Sequence, residues 1–148
     1  MAVASPLGGL IADALTPRFG RRAGRCWTAS GALALAALFV VLATQVADAR
    51  TASIVLAGGA GALYLSQSAY WTLSADIGGS SAGSVSGVMN MANQIGGVIT
   101  ASLTPLLAMR YGWTASFGFA ALLCLGGAVL WLLVDPESEI AEPSTRRT

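Results

Sequence analysis

Apolar residues gather in four long runs, at 27–46, 53–75, 83–109 and 114–134. Each is long enough to cross a bilayer, which takes about 20 helical residues at roughly 1.5 Å each. The connectors are short and polar or glycine-rich: TPRFGRRAGR, ADAR, DIGGSSAG and RYGW. The pattern predicts an all-α membrane protein. Ahead of the first run, MAVASPLGGLIADAL is apolar, short for a span, and lacks the basic start of a secretory leader. It reads as the cytoplasmic end of a further span. The expectation is about four complete transmembrane helices plus the end of a fifth within 1–136, followed by a disordered cytoplasmic tail at 137–148.

The run 83–109 holds GVMNMANQIGG, which places Asn90, Asn93 and Gln94 in a segment without a single charge between Asp76 and Arg110. At 100° per residue, Gly83, Ser86, Gly87, Asn90, Gln94, Gly97, Ala101 and Thr104 share about a third of the circumference. Val85, Val88, Ala92, Ile95, Ile99, Leu103 and Leu106 cover the other side. The oily side suits lipid. The amide side must meet protein or water, because lipid cannot satisfy an amide. Two explanations stand side by side. The amides are interhelical glue between closely packed small residues, or Asn90 and Gln94 line a water-filled path. Asn93 falls at the edge of the stripe. Pro105 removes a helix hydrogen bond and predicts a bend.

The run 53–75 offers a partner surface. Tyr64, Gln67, Ser68, Trp71 and Ser74 share one side of its second half. Trp71, close to Asp76, suits either an interfacial belt or a cavity wall. Tyr64 lies too deep for a belt.

Composition narrows the chemistry. The chain has 148 residues, a mean hydropathy of +0.68 and only 10% charged residues, against about 25% in soluble domains. Its net charge of +1 points to no nucleic-acid partner. It has no His and no Lys, which excludes Ser-His-Asp and Ser-Lys nucleophiles and a His-containing zinc site. No metal or cofactor is expected. Cys26 and Cys124 are too few for a disulfide framework. Cys26 is expected at the cytoplasmic interface within reach of a thiol reagent, and Cys124 near mid-bilayer. Arg18, Arg21, Arg22, Arg25, Arg146 and Arg147 fall on one side of the predicted spans, and Arg50 and Arg110 on the other. Positive charge stays inside, so the 16–25 loop and the C-terminus are expected in the cytoplasm, with the chain in the inner (plasma) membrane.

Several phrases together carry a family resemblance. GGLIADALTPRFGRR resembles the basic loop between the eighth and ninth helices of major facilitator transporters. YWTLSADIGGSSAGSVSGVMNMANQIGG resembles the tenth and eleventh helices of the anion:cation symporter branch, and YGWTASF with LWLLVDP resembles its last helix. The resemblance implies the C-terminal portion of a twelve-helix carrier, with the N-terminal half as a missing partner. It implies small organic anions as substrate (sugar acids, dicarboxylates or similar), often moved with protons by alternating access between two halves. On the loop motif it implies a gating role for Gly9, Asp13, Arg18, Gly20, Arg21 and Arg22, although Ala14 to Pro17 separate Asp13 from Arg18 more widely than in the compact motif. At Asn90 it favours path lining over glue. Candidate substrate contacts are then Asn90, Gln94, Tyr64, Gln67, Trp71 and Ser68. The expected activity is transport and not enzymatic. The competing class is a non-transporting remnant, or a partner subunit of a helical membrane assembly.

Overall fold

The computed structural model describes residues 4–135, with side chains at 7–20 and 24–135. The described residues form five α-helices: α1 (Ala4–Arg22), α2 (Thr28–Thr44), α3 (Ala49–Gly78), α4 (Ala82–Tyr111) and α5 (Trp113–Leu133). A π-helical turn, Ala23–Trp27, joins α1 to α2, and a 3₁₀ turn, Gly79–Ser81, joins α3 to α4. The expected tail, with Arg146 and Arg147, lies outside the described residues.

Local chemistry sets the joints. Asp48 caps α3: its carboxylate accepts from the Thr51 hydroxyl at 2.7 Å and the Thr51 backbone N–H at 2.8 Å. Those bonds hold the Asp48 carboxyl below its ordinary value, the side-chain bond contributing most. Gly112, at φ 86, reverses the chain between α4 and α5 in one residue, a conformation that side chains disfavour. The stretch 16–25, expected as a loop, is instead mostly helical. Pro17 lies within α1, and only Gly20 leaves helical geometry, at φ 86 and ψ 168. Pro105 likewise stays within a continuous α4, so the expected bend leaves no break in the helix. The Ser116 hydroxyl on α5 donates to the Thr104 carbonyl just before it, at 2.9 Å.

Helices α2, α3, α4 and α5 form a closed ring, each touching the next, while α1 packs on the outside of α3. Alanines at Ala29, Ala32, Ala36 and Ala37 keep a helical stripe of α2 small and buried. That stripe lets neighbouring backbones approach, as membrane helices do where dispersion must replace the hydrophobic effect. The tightest core joins α2, α3 and α5 through Cys26, Ala29, Leu33, Ala69, Leu73, Ala128 and Trp131. Tyr70 meets Trp131 edge-on, with ring centroids 4.9 Å apart. Cys26 is fully buried there, its thiol 3.7 Å from the Val134 carbonyl. This corrects the expectation that Cys26 is open to reagents, since helix packing covers it.

Gly24–Thr44 and Trp113–Leu133 are both long and apolar enough to cross a membrane. Only 22% of the latter is buried within the bundle. A soluble core helix would be mostly buried. Here Leu122, Leu130 and Leu133 are more than 60% exposed, as suits a helix that meets lipid. The protein is an all-α, membrane-associated bundle. Helices α3 and α4 have 30 residues each, about 45 Å of helix. Their carboxamides, hydroxyls and glycines dilute the apolar signal.

Candidate functional site

A cavity of ≈ 660 Å³ opens between α3 and α4, with Leu33 of α2 behind it. On α3 it is walled by Ala60, Leu63, Tyr64, Ser66, Gln67, Tyr70 and Trp71. These recur at helical spacing along one face. On α4 it is walled by Met89, Asn90, Ala92 and Asn93. Three carboxamides, two phenols and an indole therefore converge on one space. None of its walls carries a charge. Its chemistry is that of neutral donors and acceptors set among flat aromatic faces, suited to hydroxyls and the apolar flanks of a small solute.

Four of the six residues singled out from the sequence (Tyr64, Gln67, Trp71 and Asn90) meet at this cavity. Ser68 does not. It turns toward α1, where a Cβ on Gly8 would lie 2.9 Å from its hydroxyl oxygen, and it donates to the Leu65 carbonyl at 3.3 Å. Gln94 is exposed on α4 and does not wall this cavity. Asn93, Tyr70 and Ser66 join the cavity without having been expected there. The spacing held a signal for two of them. Asn93 stands three residues after Asn90, and Tyr70 three after Gln67, so each pair shares a helix face. Ser66 is buried and donates to the Leu63 carbonyl at 2.7 Å, which uses its proton locally.

Beside the cavity runs a second hollow of ≈ 740 Å³, bordered by Ala92, Asn93, Gly96, Gly97, Thr100, Ala101, Thr104 and Pro105. All of these belong to α4, so it is an open furrow along one helix. Cavity and furrow together place the concave side of α4 about 50° around the helix from the wheel centred on Asn90 and Gln94, toward Asn93 and Thr100.

The residues expected to gate all lie on α1. Gly9 lies against α3, 4.0 Å from Ser68 for an added Cβ. Asp13 and Arg18 are exposed, and Gly20 breaks α1. The side chains of Arg21 and Arg22 fall outside the described residues. Among the described residues the ion pair just after α1 is Arg25 with Asp76, 2.8 Å apart and partly buried. It ties the π-turn to the end of α3. The two atoms face each other without the alignment of a full hydrogen bond.

A membrane-associated helical bundle with a polar cavity between its helices defines the broad class. The particular family follows from comparison: the chain matches the Major Facilitator Superfamily over residues 1–148, and it belongs to that family. Among curated proteins it is 29% identical over 150 residues to the "Probable sulfoacetate transporter SauU" of Cupriavidus necator, covering 97% of this chain and 34% of that protein. It is 28% identical over 144 residues to the "Probable anion transporter 4, chloroplastic" of Oryza sativa subsp. japonica, covering 96% of this chain and 24% of that one. The chain thus spans about a third of one of these curated relatives and about a quarter of the other. No solved structure matches it.

Proposed function

We propose that this chain forms the C-terminal membrane part of a carrier for small organic anions, working by alternating access and driven by protons, and that α3 and α4 cross the bilayer alongside α2 and α5. The observation that carries the proposal is the cavity between α3 and α4, where Tyr64, Gln67, Trp71, Asn90 and Asn93 gather in a bundle whose relatives are named as anion transporters. The cavity supplies hydrogen bonds and aromatic contact to the uncharged part of the solute. Its walls carry no cation and no acid, so the anchor for the anion and the coupling proton site belong to other parts of the carrier. The Arg-rich end, with Arg18, Arg21, Arg22 and Arg25, faces the cytoplasm.

Uptake of labelled sulfoacetate and other small organic anions by the intact carrier, reconstituted in proteoliposomes, tests this. Asn90→Ala and Asn93→Ala should each weaken apparent affinity roughly two- to tenfold, the equivalent of one hydrogen bond worth about 0.5–1.5 kcal/mol. Gln94→Ala, outside the cavity, should leave affinity unchanged. If both Asn variants lose thermal stability but keep full affinity, the amides are glue between helices and the cavity assignment fails.

A further inference from the structure

Helix α5 walls no part of the cavity between α3 and α4, yet it stands directly behind it. Leu33 and Tyr70 are the two wall residues that also pack into the core of α2, α3 and α5. One face of α5 meets both of them. At Gly127 an added Cβ would lie 3.4 Å from the Leu33 side chain. One turn later Trp131, only 7% exposed, meets Tyr70 edge-on, with ring centroids 4.9 Å apart and planes at 89°. Tyr70 stands at the border of two environments. At 100° per residue it lies about 60° from the buried Leu73 on one side and about 60° from Gln67, a cavity residue, on the other. Its ring is half-buried, and its hydroxyl makes no hydrogen bond among the described residues. A tyrosine hydroxyl in so enclosed a place usually finds a partner. The cavity that it walls is where a partner can enter.

We propose that Trp131 is a positioning residue for transport: it holds the Tyr70 phenol where its hydroxyl bonds the solute. The proposal rests on the reading of this cavity as the solute site. A phenol oxygen lies on the axis of its ring, so its position follows from χ1, which has three staggered wells. Trp131, packed against the ring from α5, blocks the swing of that torsion and keeps the oxygen at the cavity. From there the hydroxyl donates to a carboxylate or hydroxyl oxygen of the solute. Helix α5 thus takes part in binding without touching what is bound, through a side chain that also belongs to the core.

The test uses the intact carrier in proteoliposomes, with uptake of labelled sulfoacetate and of labelled gluconate, a sugar acid, and takes the apparent affinity for whichever is carried faster. Tyr70→Phe keeps the ring and its packing and should weaken affinity roughly two- to tenfold, as for one lost hydrogen bond. Trp131→Leu keeps an apolar side chain, removes the aromatic partner and should weaken affinity by a similar factor. Trp131→Phe restores an aromatic ring and should recover most of it. In the Tyr70→Phe background, Trp131→Leu should have no further effect, because the hydroxyl that it positions is gone. A Trp131 that is only structural would lower yield and Tm while the folded fraction keeps its affinity, and that result overturns the proposal. So does an equal further loss in the Tyr70→Phe background. Full affinity in Tyr70→Phe overturns it alone, even where Trp131→Leu fails to fold. If Asn90→Ala weakens affinity while Tyr70→Phe and Trp131→Leu do not, the cavity reading stands and this proposal fails by itself. If neither anion is carried, or Asn90→Ala and Asn93→Ala keep full affinity, the cavity reading falls and this proposal with it.

Discussion

The core where α2, α3 and α5 meet and the middle of α4 are built from similar small residues, with opposite results. In the first, Ala29, Ala36 and Ala69 are wholly enclosed, and Phe39 presses on Gly58 and Gly59 so that a Cβ on either would meet it at 2.9–3.2 Å. In the second, α4 buries no residue at all, and Gly87, Gly96 and Gly97 have nothing within 4 Å of an added Cβ. Small size brings backbones together only when a neighbour is there to approach. On α4 it leaves open space beside carboxamides. The ends of α4 differ from its middle: Ser74 and Ser86 share a hydrogen bond at 2.8 Å, and Ser116 reaches Thr104. The helix is held at both ends and stands away from α2 and α3 between them, where the cavity lies.

The largest test of that contrast is Trp131→Ala. Trp131 is 7% exposed and meets Tyr70 edge-on. Its loss should cost about 3–5 kcal/mol in unfolding of the chain in detergent, as for a large aromatic removed from a core. A change below about 1 kcal/mol would mean that this core is not the tight region of the bundle.

Next comes a pair of glycines. Gly8→Ala drives a methyl into the Leu65 carbonyl on α3, and the expected loss is about 1–3 kcal/mol, typical of overpacking. Gly97→Ala meets open space and should leave the chain unchanged or gain up to about 1 kcal/mol from helix propensity. Equal losses at both positions would erase the distinction. A loss at Gly97 in the intact carrier but not in the isolated chain would sharpen it, by showing a further helix seated on the α4 furrow.

The smallest effect is at the α3–α4 junction. A double-mutant cycle of Ser74→Ala and Ser86→Ala should return a coupling of about 0.6 kcal/mol, the average for hydrogen bonds between membrane helices. A coupling near zero would remove this bond as one of the ties on α4.

Much of the architecture was legible along the chain. The apolar runs mark four of the five helices, since a segment that oily can satisfy its backbone in lipid only by coiling on itself. Asp48 three residues before Thr51 is a helix start written in local chemistry, and Gly112 between two runs is a turn written the same way. Along the chain the stretch 16–25 reads as a loop, because Pro17, Gly20 and four arginines argue against a helix one residue at a time, whereas the clamp of Gly24 on Ala12 and Thr16 depends on a crossing that no local pattern records.

Periodicity fixed that α3 and α4 each have a polar side, because spacing along a helix determines which residues share a face. It could not fix how far each face is rotated about its axis, which depends on the neighbours that the helix meets. That rotation, set by packing against α2, α3 and α5, brings Asn93 and Tyr70 to the cavity, leaves Gln94 outside and turns Ser68 toward α1. The burial of Cys26 and the pairing of Arg25 with Asp76 have the same origin. Each joins residues far apart in sequence, and only the approach of one helix to another decides whether they meet.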